Sequence, residues 1–402
     1  MKTLKLLMLI LSLIGTVSCT STSIQALDEN WPVIARREVI KGDSVIVCDI
    51  DKVEPTTTIP LDAIAEDFQI VKLDKEAEEY SVLSDAHITE NYIGLSNYSD
   101  APFKLFKKDG TFLTEVGTFI KDGAEGQGRY KCVSEALIDE ENNHIYILPE
   151  NLGDHSVLLV YDLKGTFLKE IPLAYRAGFG YKFKVDIQKG EIYIIGREVK
   201  SESKDYRVWV QDMEGNLIYG IKDEDKRNDD YWGSLGNSHF HTEAIETYVH
   251  ISIFGQKKKE FQYHWDLEER RLIPKLQIKT EELGLMIYEL PSYYITEITG
   301  DALEADTSTP KVILDKKTLK GSRFDGFVTP DGLLLNHYDL LYKTRNGYFS
   351  LVEKESRILE RIQKTDKSKL TKEQRKKLEQ LYQQLNSDKN DDTILFMAKF
   401  KK

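Results

Sequence analysis

The chain has 402 residues, and 41% of them are hydrophobic, which is enough apolar material for a large folded core. This composition excludes fibrous and intrinsically disordered proteins. The formal net charge of −12 argues against a nucleic-acid partner, because phosphate backbones select basic surfaces.

The first 18 residues are predicted to be an export signal that is not part of the fold. Lys2 and Lys5 precede an apolar run at residues 6–14, which is too short to span a bilayer as a helix. Small residues then lead to Cys19, the residue that a bacterial lipoprotein signal modifies with lipid, although Thr16 stands where such signals usually carry Leu. We therefore expect lipidation of Cys19 rather than simple secretion. The protein would then lie in the bacterial cell envelope, on either face of the outer membrane.

Residues 19–45 are predicted to be a linker, followed by one folded domain at 46–402. Two more cysteines, Cys48 and Cys132, lie in segments with strand character, and the sequence has no Cys or His spacing typical of a zinc site. We expect two small buried strand residues, and their spacing leaves open whether they form a disulfide.

A short motif recurs about every 50 residues in this domain. It consists of an apolar strand, a polar turn with glycine and a second apolar strand, as in FKKDGTFLTEV at 106–116. The other copies are YDLKGTFLKEI (161–171), QDMEGNLIYGI (211–221) and two weaker ones, WDLEERRLIPKL (265–276) and ILDKKTLKG (313–321). Glycine in the turn indicates a hairpin that needs a positive φ angle, and the alternation after it indicates a half-buried strand.

A second pair of strands precedes each of these hairpins. The examples are HITENYIGL (87–95), LIDEENNHIYIL (137–148), KVDIQKGEIYII (184–195) and HTEAIETYVHISIF (241–254). Units of four antiparallel strands that repeat every 45 to 55 residues or so are typical of β-propeller blades. Two consecutive β-sandwich domains are the alternative, but they would not explain repetition in phase over four or five units.

The repeats predict six blades. Four begin near residues 80, 131, 184 and 241, a fifth comes from residues 291–321, and a sixth begins with 326–339 and 347–354. The sixth blade lacks its last strands, whereas two strand-like segments, 66–74 near the start and 393–400 at the end, have no assigned partners. We expect these two segments to pair in one sheet and close the ring, which would remove a free edge.

A polar segment at 368–386 interrupts the strands and is predicted to be a helix. Thr371 and Gln374 have the spacing of an N-terminal capping box, and Leu378, Leu381 and Leu385 lie on one stripe. We expect this helix to pack on the edge of the propeller, and a helix that binds a partner is the alternative.

Two of these segments resemble the Bacteroides-type six-bladed β-propeller lipoproteins, a family with NHL-like repeats. KLFKKDGTFLTEVG, followed by GAEGQGRY (123–130), is similar to the family's glycine turn and GQG loop, with Arg129 where the family often has Pro-Gly-Glu. The late strand in NDDTILFMAKFK is similar to the family's C-terminus. The resemblance covers about residues 45–400 and implies a fold and an envelope location more than a chemistry.

In a propeller, the loops between blades and between the two middle strands open on one face, and the short glycine turns open on the other. The blade-to-blade loops are long and carry aromatic and charged residues; they span 117–130, 172–181, 222–241 and 289–294. We expect a ligand on this loop-rich face, bound by aromatic stacking and by arginine. The candidate residues are Arg129, Tyr130, Tyr175, Arg176, Tyr181, Tyr231, Trp232, Tyr293 and Tyr294. Packing between blades is the competing interpretation of each aromatic residue.

His239 and His241 are two residues apart and would share one face of a strand. With Asp229 or Asp230 they could bind a metal ion, and hydrogen-bonded histidines at the surface or in the channel are the competing interpretation.

A metal-dependent hydrolase or lactonase is the catalytic alternative, because some six-bladed propellers hold a calcium ion in the central channel. Glu135, Asp186 and Glu243 would occupy comparable points of three innermost strands and could form such a site. The sequence contains no nucleophile elbow, zinc-protease motif or nucleotide-binding loop that would support another chemistry.

We therefore predict an all-β, lipid-anchored six-bladed β-propeller with four-stranded antiparallel blades. A binding module for a glycan, a peptide or an envelope protein is favoured over an enzyme. We expect a monomer that needs no cofactor and contacts the membrane only through its anchor; a divalent cation enters only in the hydrolase alternative.

Overall fold

The computed structural model of the protein describes most of the chain between Trp31 and Lys401, and it contains six β-sheets of four or more strands. The described residues are 31–50, 53, 56–81, 84–97, 101–121, 127–150, 156–177, 181–195, 206, 208–221, 246–248, 261–279, 284–299, 311–335, 344–345, 347–386 and 391–401. The six sheets are the blades of a six-bladed β-propeller, which confirms the predicted fold class.

The N-terminal segment contributes strands to three different blades. β1 (Ala35–Ile40) and β2 (Asp43–Asp49) form a hairpin whose turn residues, Lys41 and Gly42, both have positive φ angles. They are followed by β3 (Thr56–Pro60) and β4 (Ala65–Lys72). Residues 35–45, a linker in the sequence prediction, therefore form β1 and the start of β2.

The first three blades are antiparallel meanders of four strands each, as the repeats predict. The first contains β5 (Asp85–Ile88), β6 (Tyr92–Ser96), β7 (Phe103–Lys107) and β8 (Phe112–Val116). A short parallel pair, β9 (Thr118–Phe119) and β10 (Arg129–Tyr130), leads to the second. The second and third contain β11 (Val133–Asp139), β12 (His144–Pro149), β13 (Val157–Asp162), β14 (Phe167–Pro172), β15 (Lys182–Asp186), β16 (Glu191–Ile195), β17 (Val208–Asp212) and β18 (Leu217–Ile221).

The fourth and fifth blades are widened by N-terminal strands. In the fourth, β2 pairs in parallel with the last strand and β1 lies outside it; its own strands are β19 (Glu246–Tyr248), β20 (Phe261–Asp266) and β21 (Arg271–Lys279). In the fifth, β3 pairs in parallel with β25; its strands are β22 (Gly284–Glu289), β23 (Tyr293–Thr299), β24 (Lys311–Asp315), β25 (Gly321–Val328) and β26 (Leu334–Leu335).

The start of segment 326–339 belongs to the fifth blade, so its assignment to the sixth is wrong. β25 runs without a break from the turn after β24, and Phe327 near its end pairs with Leu335 of β26. Residues 326–328 are thus the end of an existing strand, and Leu334 and Leu335 form the strand that pairs with it. The fifth blade also begins earlier than predicted, at β22.

The sixth blade closes the ring in the way the sequence predicts. It contains β27 (Thr344–Arg345), β28 (Tyr348–Lys354) and β29 (Thr393–Phe400), and β4 pairs antiparallel with β29 on the outer side. Seven of the eight side chains of β29 are buried. The two ends of the chain therefore hold one sheet together.

Two helices, α1 (Glu355–Lys364) and α2 (Lys372–Leu385), are inserted between β28 and β29. The predicted capping box is present at the start of α2: the Thr371 hydroxyl accepts the Gln374 N–H (3.1 Å), and the Gln374 side-chain oxygen accepts the Thr371 N–H (3.0 Å). Leu378 is buried in one apolar cluster with Phe327, so α2 packs on the propeller as expected. α1 was not predicted from the sequence. Short 3₁₀ turns lie at Leu61–Ala63, Lys75–Ala77 and Lys367–Lys369.

The recurring motif is the turn between the third and fourth strands of a blade. In the second blade, Oδ1 of Asp162 accepts the N–H groups of Lys164 (2.9 Å) and Thr166 (2.8 Å). The same capping is made by Asp212, Asp266 and Asp315 in the next three blades. A carboxylate before the turn satisfies backbone donors that no strand pairs, which explains why the acidic residue recurs.

The glycine of the motif lies at the seam between adjacent blades. Gly110, Gly165 and Gly215 have φ angles of +92°, +81° and +88°. A Cβ atom at any of the three would overlap a backbone oxygen of the preceding blade, on Lys72, Glu115 or Pro172 respectively. The motif therefore recurs because each turn needs a left-handed residue and also a residue without a side chain.

Apolar clusters fill the spaces between adjacent blades, and one of them contains Cys48. Cys48 is buried in β2 and free, and burial raises the pKa of its thiol to about 12. Cys132 is half-buried and forms no disulfide with Cys48, and it lies just before β11 rather than within a strand.

Candidate ligand-binding face

The order of the strands gives each blade two different ends. The turns between strands one and two and between strands three and four lie at one end; the loops between strands two and three and between blades lie at the other. In the fifth blade these two turns are in contact: Lys316, in the turn between strands three and four, donates its N–H to the carbonyl of Ser292, in the turn between strands one and two (3.0 Å). We call these ends the short-turn face and the loop-rich face. α1 and α2 lie at the loop-rich end, since they connect strands two and three of their blade.

An aromatic cluster lies at the loop-rich end of the third blade. Tyr175 is in the loop from the second blade, Tyr181 precedes β15, and Tyr206 precedes β17. The rings of Tyr175 and Tyr181 are centred 5.5 and 6.1 Å from the Trp209 ring, and those of Tyr175 and Tyr206 are 5.3 Å apart. Trp209 is buried, whereas the three tyrosines are half-buried. Together with the exposed Arg176 they form what we call the blade 3 entrance.

Buried hydrogen bonds hold the loop of this entrance in place. Ser156 Oγ accepts the Ala177 N–H and donates to the Ala177 carbonyl, both at 2.8 Å. The side-chain oxygen of Gln211, which is fully buried, accepts the Ala174 N–H (2.9 Å) and the Trp209 indole N–H (3.1 Å). Arg176 therefore lies between two backbone positions that buried side chains hold in place.

A buried chain of polar groups lies beside the entrance and links the first three blades. Lys182, the first residue of β15, forms an ion pair with Glu135. The other oxygen of Glu135 is 4.0 Å from His87 Nδ1, and His87 Nε2 is 3.0 Å from Ser96 Oγ. His87 is 1% exposed and Glu135 6%. The carboxylate of Glu135 is thus neutralised by a lysine of the next blade.

Arg129 and Tyr130 lie apart from the blade 3 entrance. Tyr130 is fully buried between the first two blades; its hydroxyl donates to the Val116 carbonyl (2.6 Å) and accepts the Phe103 N–H (2.8 Å). Tyr130 is therefore a packing residue, as the competing interpretation holds. Arg129 is exposed next to Gly128, which packs against the Phe167 ring of β14.

Tyr293 and Tyr294 lie on the short-turn face, contrary to the prediction. Residues 290–292 connect β22 to β23, which are the first two strands of the fifth blade, so this segment is not a blade-to-blade loop. Tyr294 is buried, and the Lys316 ammonium lies 4.6 Å from its ring centre. The prediction that residues 289–294 connect two blades was wrong because β22 already belongs to the fifth blade. The connection from the fourth blade therefore precedes β22.

Two of the three carboxylates of the hydrolase alternative, Glu135 and Asp186, lie in the described residues and at opposite ends of their blades. Glu135 lies near the start of β11, whereas Asp186 ends β15 at the short-turn face, where its Oδ1 accepts the Lys189 N–H (3.0 Å). Glu243 lies outside the described residues, as do Asp229, Asp230, Tyr231, Trp232, His239 and His241. Within the described ranges no group of three His, Cys, Asp or Glu residues could hold a metal ion.

A second buried carboxylate, Glu289, joins the fourth and fifth blades. It is 1% exposed and accepts hydrogen bonds from Gln262 Nε2 (2.9 Å), His264 Nε2 (2.8 Å) and the Lys316 ammonium. Burial acts to raise the pKa of Glu289, but the His264 hydrogen bond and the Lys316 charge outweigh it and hold the pKa below its usual range. This cluster fixes the seam between two blades.

Tyr206, Trp209, Gln211 and the Glu289 cluster were not predicted from the sequence. The spacing of Trp209 and Gln211 could have indicated them. Trp209 lies three residues before the capping Asp212 and Gln211 one residue before it, so their side chains lie on the same side of β17. The partners of Glu289 come from two other parts of the chain, Gln262 with His264 and Lys316, and no local pattern joins them.

The architecture defines a class, the closed six-bladed β-propellers. The chain matches the DUF5128 family, described as a six-bladed β-propeller, over residues 37–283, and it belongs to that family. A comparison with curated proteins finds no match. Among the described residues, no helix is long and apolar enough to cross a membrane.

Comparison with solved structures finds matches at low sequence identity. A protein described as exported, from Bacteroides fragilis, is 14% identical, with a TM-score of 0.57 over 89% of this chain and 100% of its own. A DUF4221 member from Bacteroides vulgatus is 12% identical, with a TM-score of 0.38 over 84% of this chain and 97% of its own. A periplasmic gluconolactonase from Pseudomonas aeruginosa is 11% identical, with a TM-score of 0.36 over 59% of this chain and 67% of its own.

Proposed function

We propose that the protein is a lipid-anchored propeller of the bacterial cell envelope that binds a ligand or partner protein on its loop-rich face. The observation that carries this proposal is the blade 3 entrance, where half-buried Tyr175 and Tyr181 pack against Trp209, Tyr206 packs against Tyr175, and Arg176 is exposed beside them. Aromatic rings stack on sugars and on peptide side chains, and a guanidinium group pairs with a carboxylate. A glycan or peptide that carries a carboxylate fits this chemistry.

The fixed loop favours binding without rearrangement. Ala174 and Ala177, on either side of the Tyr175–Arg176 pair, are hydrogen-bonded to the buried side chains of Gln211 and Ser156. Little conformational entropy is then lost when a ligand binds, so a small contact area can give useful affinity. The anchor at Cys19 is supported by the sequence pattern before it.

The hydrolase hypothesis has less support from the described residues. Its metal ligands would have to include Glu135, which Lys182 already neutralises, and Asp186, which lies at the other end of its blade. Binding through the entrance needs neither residue to move.

A thermal-shift screen tests the proposal. The chain without its signal and anchor cysteine, residues 20–402, is heated with divalent cations and with panels of acidic glycans and peptides. A ligand at a hundred times its Kd stabilises the native state by about 2.7 kcal/mol. We expect stabilisation by a carboxylate-bearing glycan or peptide that is lost in Arg176→Ala. Stabilisation by a cation alone, lost in Glu135→Gln, would replace the binding module by the hydrolase.

A further inference from the structure

The chain enters the described structure at a fixed point on the short-turn end of the fifth blade. Trp31 is 8% exposed and belongs to the core cluster of the fourth, fifth and sixth blades. The Pro32 carbonyl accepts the Gly321 N–H (3.1 Å), and Val33 forms a β-bridge with Lys320. Lys320 and Gly321 follow the short turn after β24, so the entry point lies on that turn.

Basic and apolar side chains surround this entry point. Val33, Arg37 and Val39 alternate along one side of the strand, and the Arg37 guanidinium donates to the Lys316 carbonyl (2.8 Å). Val33 is 65% exposed and Val39 79%, and Arg37 and Lys317 are also exposed. We call Val33, Arg37, Val39, Lys317 and Lys320 the entry patch.

The charge of this region is opposite to that of the whole chain. Segments 31–40 and 315–321 contain five basic and two acidic residues, whereas the chain carries −12. Of the two acidic residues, Glu38 pairs with Arg36, and Asp315 caps its own turn. Glu289 lies buried beneath, in an ion pair with Lys316.

We infer that the entry patch rests on the anionic headgroups of the membrane that holds the anchor, which turns the loop-rich face away from the bilayer. This inference rests on the lipidation of Cys19 in the proposed function. Eleven residues, 20–30, separate Cys19 from Trp31 and reach at most about 40 Å when fully extended. The anchor thus keeps the patch within reach of the surface. Each basic residue strengthens such an association by roughly fivefold, and exposed valines add apolar contact.

Lysine labelling of the reconstituted lipoprotein tests the inference. The lipidated protein is placed in vesicles of phosphatidylcholine, with or without phosphatidylglycerol, and acetylated by a water-soluble ester. Mass spectrometry compares Lys317 with Lys376, an exposed lysine of α2 on the loop-rich face. We expect phosphatidylglycerol to lower Lys317 labelling at least threefold and to leave Lys376 unchanged. High salt should abolish the protection, because it screens surface charge.

A pair of variants separates the patch from general charge effects. Arg37→Glu with Lys320→Glu should restore Lys317 labelling, whereas Lys372→Glu with Lys376→Glu in α2 should leave its protection intact. Equal labelling of Lys317 in both kinds of vesicle, on a protein whose N-terminal peptide carries lipid, would overturn the inference alone. An N-terminal peptide without lipid would overturn the anchor and the inference together. Ligand binding at the blade 3 entrance is measured on the unlipidated chain and is independent of both outcomes.

Discussion

Gly165 illustrates how single residues hold adjacent blades together. Its φ angle of +81° is a conformation that other residues adopt only at a cost, and its α-carbon faces the Glu115 carbonyl of the preceding blade. Its own carbonyl accepts the Gly117 N–H (3.0 Å). The turn and the seam therefore depend on the same missing side chain.

Gly165→Ala should lower the free energy of unfolding by at least about 2 kcal/mol, because it adds a steric overlap to the strain of a left-handed alanine. Gly190→Ala is the matched control: its φ is +67°, but an added Cβ would meet nothing within 4 Å. We expect the control to cost only about 1 kcal/mol. Urea unfolding measures both free energies. If the two variants lose the same free energy of unfolding, the contact between Gly165 and the preceding blade contributes nothing to stability.

Glu289 should make the free energy of unfolding depend on pH below about 4.5. Because its pKa is lowered in the folded state, its contribution is present above the unfolded value, near 4.5, and is lost as the pH falls through the lower folded value. Glu289→Gln should therefore cost roughly 3 kcal/mol near pH 7 and less with every step below pH 4.5.

Thermal melts of the wild type and Glu289→Gln between pH 7 and 3 measure this effect. Glu269→Gln is the control, since Glu269 pairs with Arg271 in an exposed turn and should change stability by less than about 0.5 kcal/mol. A difference between the wild type and Glu289→Gln that stays constant over the whole pH range would contradict the assignment of a lowered pKa.

At the scale of the elements, α2 depends on its cap as well as on its buried face. The capping box satisfies two backbone N–H groups at the start of the helix, and Leu378, Leu381 and Leu385 anchor the helix to the core. Both features were predicted from the sequence, because they follow from local spacing. The preceding helix, α1, was missed because its segment directly continues β28.

Thr371→Ala should destabilise α2 by about 1 kcal/mol, because the Gln374 N–H loses its acceptor. Thr371→Ser keeps the hydroxyl and should change stability little. Amide hydrogen exchange in residues 372–385 is the appropriate measurement, since the helix can open locally without the propeller. Equal exchange in the two variants would show that the cap is not needed.

At the scale of the whole molecule, the ring depends on the pairing of β4 with β29. A chain that ends at Asp392 would lose the strand between β28 and β4 and expose two sheet edges. We expect this truncated chain to lose its cooperative melting transition. A peptide of residues 391–402, added in trans, should restore the transition by adding the missing strand, and a scrambled peptide should not. Cooperative melting of the truncated chain alone would contradict this role of β29.

The repeats predicted most of this architecture, because turn chemistry and strand alternation are local signals. The aspartates at 162, 212, 266 and 315 mark the hairpins of four blades, and the apolar ends of the chain indicate the closing pair. The candidate site was predicted less well. Tyr175, Arg176 and Tyr181 were identified and lie together, but Tyr130 is a core residue and Tyr293 and Tyr294 lie on the other face. A loop lies at one end of its blade or the other according to how many strands of that blade precede it. One unrecognised strand, such as β22, therefore places the next loop on the wrong face.

The most direct test of the central claim is to locate the binding site with a ligand from the thermal-shift screen. The rise in melting temperature on adding the ligand is measured for the wild type, for Arg176→Glu and for the control Lys164→Glu. Lys164 lies in a short turn on the opposite face. We predict that Arg176→Glu abolishes the rise and that Lys164→Glu retains it in full. A rise that survives Arg176→Glu, or one that Lys164→Glu removes, would contradict a ligand site on the loop-rich face.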